Sequence, residues 1–125
     1  MIRSVLIVDD EPGIRDILRA ELEFHKYMVK EAENGEQALK VTKSFPIDVV
    51  ISDIRMPVMG GKDFLKKIKE QAVVFPAFYF ISGYPDLTLE EAMALGARGL
   101  FKKPFQLKEL VKKIVDDFTL QGSLK

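Results

Sequence analysis

The chain contains no cysteine, which excludes disulfides, thiolate zinc sites and a cysteine nucleophile and fits a reducing compartment. Excess charge of either sign is also missing. The 19 Lys and Arg balance 19 Asp and Glu, so the counts point to neither a nucleic-acid nor an anionic-membrane surface. No apolar run approaches the roughly 18 residues that a membrane span requires. The start, Met1-Ile2-Arg3-Ser4, leads directly into a short apolar stretch, without the long apolar segment and cleavage site of a signal peptide. The expected setting is therefore the cytoplasm. What remains is ordinary globular material: 125 residues, 47% apolar and 30% charged, enough for one domain with one real core.

The apolar residues fall into short runs separated by helix-period stretches. Val5-Leu6-Ile7-Val8 is continuous and β-branched-rich, as in a strand buried on both faces. Ile14, Ile17, Leu18 and Leu22 follow at helical spacing, with Pro12 near the start, where its missing N–H costs nothing. Further strands are predicted at Met28 to Ala32, Val49 to Ser52, Ala77 to Ile81 and Leu100-Phe101. Helices fit between them, around Ala38 to Thr42, Phe64 to Ile68 and Thr88 to Leu95, the last stopped by Gly96. The final helix has the clearest period: Leu107, Leu110, Val111, Ile114, Val115 and Phe118. Five βα units in alternation imply a parallel sheet with helices on both faces and right-handed crossovers. Residues 1–121 are expected to form the domain and 122–125 a short tail.

In open parallel sheets, ligands bind beyond the carboxyl ends of the strands. Strand one ends in Asp9-Asp10, strand three in Asp53 and strand four in Ser82-Gly83; Lys102-Lys103-Pro104 follows strand five. Gathered carboxylates repel one another, and a hard divalent cation relieves that repulsion. Lysine supplies a point charge and serine a donor for phosphate oxygens. A carboxylate can itself be the nucleophile and form an aspartyl phosphate. Together these are the parts for in-line phosphoryl transfer. Each residue also has a bland reading. Asp10 and Ser82 could be helix caps; Asp53 could be an ordinary loop residue and Lys103 a solvated one. Four of five strand ends carrying the required group are hard to explain by capping.

These stretches resemble the receiver domains of response regulators over essentially the whole chain. The carrying residues are Val5 to Glu11, Asp48 to Gly60, Ile81-Ser82-Gly83 and Lys102-Lys103-Pro104-Phe105. The resemblance implies a flavodoxin-like, doubly wound, five-stranded α/β fold with strand order 2-1-3-4-5. It implies phosphorylation of Asp53 by a histidine kinase or phosphotransfer protein, with Mg2+ bound by Asp10 directly, by Asp9 through water, by Asp53 and by the Arg55 carbonyl. Ser82 would hydrogen-bond the phosphoryl group and act as a switch, Lys103 would pair with it, and the Lys103-Pro104 peptide would be cis. The chain would catalyse only its own phosphotransfer and dephosphorylation. Its readout surface would be the fourth helix, fifth strand and fifth helix, facing a downstream protein, a fused output domain or a second copy of the chain, with no nucleic-acid or membrane contact from this domain. Leu100 departs from the pattern. The family has Tyr or Phe there, and leucine brings neither ring nor hydroxyl to the aromatic readout. Phe101 should face the other side of the strand.

Two other readings compete. A pseudo-receiver working without phosphate is left open by Leu100 and opposed by the intact Asp9, Asp10, Asp53, Ser82 and Lys103. A phosphatase of similar topology would carry a second acid two residues after the nucleophile, where Arg55 stands. His25, the single histidine, fits a helix-end role. Phe78, Tyr79 and Phe80 should alternate into the core, and Tyr84 should lie near the pocket mouth. Lys66, Lys67 and Lys69, and Lys108, Lys112 and Lys113, read as solvated helix faces.

Overall fold

A computed structural model describes residues 3–71, 75–84 and 86–123. Ten elements alternate along the chain: β1 (Ser4–Val8), α1 (Pro12–Phe24), β2 (Met28–Ala32), α2 (Gly35–Ser44), β3 (Val49–Asp53), α3 (Gly61–Gln71), β4 (Ala77–Ser82), α4 (Leu89–Leu95), β5 (Gly99–Lys102) and α5 (Leu107–Ser123). The strands form one parallel sheet in the order β2-β1-β3-β4-β5. This is the doubly wound arrangement expected from the alternation. The order reverses beside β1, so β1 and β3 share the crevice at their carboxyl ends.

Period-two alternation divides the core between the two faces of the sheet. Leu6, Val8, Val50, Phe78 and Phe80 pack against Ala38 and Leu39 of α2, Phe64, Leu65 and Ile68 of α3, and Ala92 of α4. Val5, Ile7, Val49, Ile51, Tyr79 and Ile81 pack against Leu18 and Leu22 of α1 and Leu110, Val111, Ile114 and Phe118 of α5. Each fully buried large side chain contributes about 1.5–3 kcal/mol. Burial on both faces explains why β1, β3 and β4 have unbroken apolar runs.

Helix ends follow local chemistry. Thr88 caps α4 through a reciprocal capping box with Glu91, and Gly96 closes it in the left-handed region at φ 112°. Asn34 accepts from the Gln37 N–H to start α2. The bland reading of Asp10 as a cap does not hold: the N-cap of α1 is Glu11, without a side-chain cap bond, and Pro12 leads the helix. Helix α5 continues to Ser123, beyond the boundary expected at residue 121. The apolar period stops at Phe118, but helical backbone bonds need no apolar contact to continue for another turn.

Tyr79 is fully buried, and its hydroxyl donates to Asp117 on α5, tying β4 to that helix. Burial, and then Asp117, raise the phenol above its ordinary range. Tyr79→Phe is expected to cost about 1 kcal/mol in urea unfolding. The effect stays small because Asp117 is partly exposed and keeps Lys113 at 3.3 Å.

Candidate functional site

Asp9 follows β1 and is fully buried. Three bonds fix it. Its N–H donates to the Ala32 carbonyl at 3.1 Å, its Oδ1 accepts from the Glu11 N–H at 2.8 Å, and its carbonyl accepts from Arg15 Nη1 at 2.7 Å. Asp53 ends β3 with 6% exposure, and its Oδ1 accepts from the Ile54 N–H at 2.7 Å. Lys103 follows β5, its N–H donating to the Ser82 carbonyl at 2.7 Å, and the Lys103-Pro104 peptide is cis. Its ammonium lies 3.1 Å from Asp9 Oδ2, 3.1 Å from Asp53 Oδ2 and 3.0 Å from Glu11 Oε1. Side chains from three non-consecutive strand ends thus meet at one point.

Burial raises the Asp9 and Asp53 carboxyls above their ordinary value of 3.8, although Lys103 and backbone N–H groups pull the other way. Asp53 raises Asp9 further, and Asp10 does the same to Asp53. Burial lowers Lys103, but Glu11, Asp9 and Asp53 outweigh it and raise the ammonium above its ordinary value. Carboxylate oxygens of Asp9, Asp10, Glu11 and Asp53 all lie within 4.8 Å of one another. Asp9 Oδ2 is buried with no hydrogen bond of good geometry, despite the nearby ammonium. An all-oxygen set with one orphaned buried oxygen and one lysine among four acids fits a hard cation such as Mg2+.

The cluster opens into a cleft of about 580 Å³, lined also by Arg55, Met56, Pro57, Gly83 and Tyr84. Ser82 is 3% exposed, and its hydroxyl donates to the Tyr84 carbonyl at 2.7 Å and accepts from the Tyr84 N–H at 3.1 Å. It therefore closes a local turn; the α4 cap is Thr88. Leu100 is half-buried against the α2–α4 side of the sheet, and Phe101 lies on the opposite face beside Tyr79. His25 stands at the far end of α1, 3.3 Å from Glu21. Lys69 is not simply solvated: its ammonium donates to the Leu95 carbonyl at the end of α4.

The loop between β3 and α3 holds the Asp53 backbone. The Met59 N–H donates to the Pro57 carbonyl at 2.8 Å around Val58, whose φ is 69°. This is a three-residue turn of the rare, strained kind, more so with a β-branched centre. The Gly61 N–H returns to the Ile54 carbonyl at 2.9 Å. Sequence reasoning assigned no role to Glu11, Arg15 or Asp86. Glu11 adjoins the acidic pair and could have been considered. Asp86 gave no signal, because its partner Arg55 lies 31 residues away.

Residues 5–115 match the model of the response regulator receiver domain. The chain is 39% identical over 107 residues to the response regulator SaeR of Staphylococcus epidermidis, covering 86% of this chain and 46% of that protein. It is 36% identical over 110 residues to SaeR of Staphylococcus aureus, covering 88% and 48%. The chain thus spans about half the length of these curated relatives. Among solved structures, the chemotaxis response regulator CheY4 of Vibrio cholerae superposes with a TM-score of 0.83 at 32% identity, covering 93% of this chain and 98% of that one.

Proposed function

The chain belongs to the response regulator receiver domains of two-component systems, and from that premise we propose that it is a phosphorylation switch in which Asp53 accepts the phosphoryl group. The carrying observation is the Lys103 ammonium, 3.1 Å from two buried aspartates on different strands. An Asp53 carboxylate oxygen bonds to phosphorus as the P–N bond of a kinase or phosphotransfer-protein phosphohistidine breaks, and the imidazole leaves with the electron pair. Lys103 pairs with the phosphoryl oxygens, and the Ser82 hydroxyl turns to them from the Tyr84 carbonyl. Mg2+, held by Asp9, Asp10, Asp53 and the Arg55 carbonyl, would screen the acids from the incoming anion and stabilise charge on the transferring oxygens. The chain turns over no group but its own phosphoryl.

The new contacts bias α4, β5 and α5, whose outer face then engages a downstream protein, a fused output domain or a second copy. A cytoplasmic setting accords with this, and no helix among the described residues is long and apolar enough to cross a membrane. Half-buried Leu100 supports a second reading, a phosphate-independent interaction module. Amide NMR with beryllofluoride separates the two. Saturable shifts at Asp53, Ser82 and Lys103 that require Mg2+ are expected, and their failure to appear favours the second reading. Mg2+ alone, at about ten times its Kd, is expected to raise stability by about 1.4 kcal/mol in thermal unfolding.

A further inference from the structure

Across the mouth of the cleft, the segments after β3 and β4 are joined by side chains that phosphoryl transfer does not use. Arg55 lies two residues beyond Asp53. Its Nε is 2.9 Å from both carboxylate oxygens of Asp86, and its Nη2 is 2.5 Å from Oδ1. The same guanidinium lies over the Tyr84 ring, 4.1 Å from its centroid. Arg55 and Tyr84 line the cleft together with Asp53 and Lys103. Asp86 stands two residues before Thr88, the cap of α4. One cation therefore connects the strand of the nucleophile to the segment that starts α4.

We propose that Arg55 is a partner-exchanging latch: its guanidinium holds Asp86 while Asp53 is bare, moves to the phosphoryl group when Asp53 carries one, and so releases the start of α4. The proposal rests on the phosphoacceptor reading of Asp53. A phosphoryl group brings nearly two negative charges and three acceptor oxygens. The planar guanidinium fork matches phosphate as well as carboxylate. Asp86 is 13% exposed, but the Arg55 side chain is 59% exposed, so solvent screens the resting bridge to about 1 kcal/mol, the upper end for such pairs, and a group with nearly two negative charges competes with it. Of the two cations lining the cleft, Lys103 is already shared among Asp9, Glu11 and Asp53. Arg55 has its partner on the segment leading to α4, so its transfer converts new charge into movement there. Leu87 and Ala92 anchor the segment in the core, while Leu89 and Met93 are about half exposed, so the movement is a shift of the start of α4 about those two anchors. With leucine at position 100, the latch supplies a route from phosphate to α4 that needs no aromatic ring.

The test is amide hydrogen exchange at Asp86 to Ala92, with and without Mg2+ and beryllofluoride, in the unaltered chain, Arg55→Gln and Asp86→Asn. Beryllofluoride should speed exchange there up to about fivefold in the unaltered chain, the factor that corresponds to a solvent-screened pair of about 1 kcal/mol. Both variants should show that faster exchange without beryllofluoride and gain nothing more with it, while in Asp86→Asn, whose altered side chain touches neither the phosphoryl group nor Mg2+, Ser82 and Lys103 still shift. If the variants exchange like the unaltered chain and respond like it, the latch is overturned and the phosphoacceptor reading stands. If beryllofluoride shifts neither Ser82 nor Lys103 in the unaltered chain, the phosphoacceptor reading fails and the latch fails with it.

Discussion

Asp53→Asn is expected to take up no acid-labile phosphate from acetyl phosphate and Mg2+, a loss of at least about a thousandfold in rate, and to be more stable than the unaltered chain. Both effects come from the same carboxylate. The amide oxygen that replaces it is neutral and a poor nucleophile, and it cannot carry a phosphoryl group as an aspartyl phosphate does. The stability gain follows from burial. The Asp53 carboxyl titrates above its ordinary value of 3.8, chiefly because burial penalises its charge. Between that value and its raised one, the native state binds more protons than the unfolded state. The contribution of Asp53 to stability therefore falls as pH rises through that window and stays low above it. Asparagine keeps the shape without the charge, so at neutral pH and without Mg2+ it should gain about 1 kcal/mol. Lys103 retains Asp9 and Glu11 in the variant, so no buried cation is stranded. Phosphate uptake by a folded variant at the unaltered rate would remove Asp53 from its role. A fall in melting temperature instead would mean that the Lys103 pair outweighs desolvation.

That opposition between stability and reactivity explains which parts of the molecule could be read from sequence. The sheet was legible because Val5 to Val8, Val49 to Ser52 and Ala77 to Ile81 are buried on both faces, which demands unbroken apolar runs. The ends of α4 were legible from Thr88 and Gly96, whose roles are local. Gathering Asp9, Asp53 and Lys103 required only the general rule for the carboxyl edge of a parallel sheet. Contacts that join distant loops through exposed side chains leave no periodic trace. Arg55 and Asp86 meet across 31 residues, and Glu11 reaches Lys103 across 92. Ser82 was also only half legible. Its position at the end of β4 followed from the strand, but its bonds to the Tyr84 backbone depend on how the next loop turns.

Gly61→Ala is expected to destabilise the chain by about 3 kcal/mol, the upper end for overpacking a close-fitting site. For a domain of this length that is a fall of about 12 °C in melting temperature. A Cβ at Gly61 would lie 2.2 Å from the Asp53 carbonyl oxygen, 3.1 Å from its carbon and 3.1 Å from Ser52 Oγ. The nearest of these is backbone of a central strand, so no rotamer change relieves the clash. Relief must come from moving α3 outward or bending the end of β3. The first opens the packing of Phe64 and Leu65, both essentially unexposed. The second displaces Asp53 from Lys103 at 3.1 Å. Either way the Gly61 N–H bond to the Ile54 carbonyl weakens, and that bond closes the loop that presents the carboxylate. Gly13 is the control. A Cβ there meets no atom within 4 Å, and the residue lies in the first turn of α1, so Gly13→Ala should be neutral or stabilising by up to about 1 kcal/mol. Thermal unfolding of both variants, with phosphate uptake measured well below the melting temperature, separates the consequences. If Gly61→Ala melts within a degree or two of the unaltered chain, the close approach of α3 to Asp53 is not what fixes that carboxylate in place.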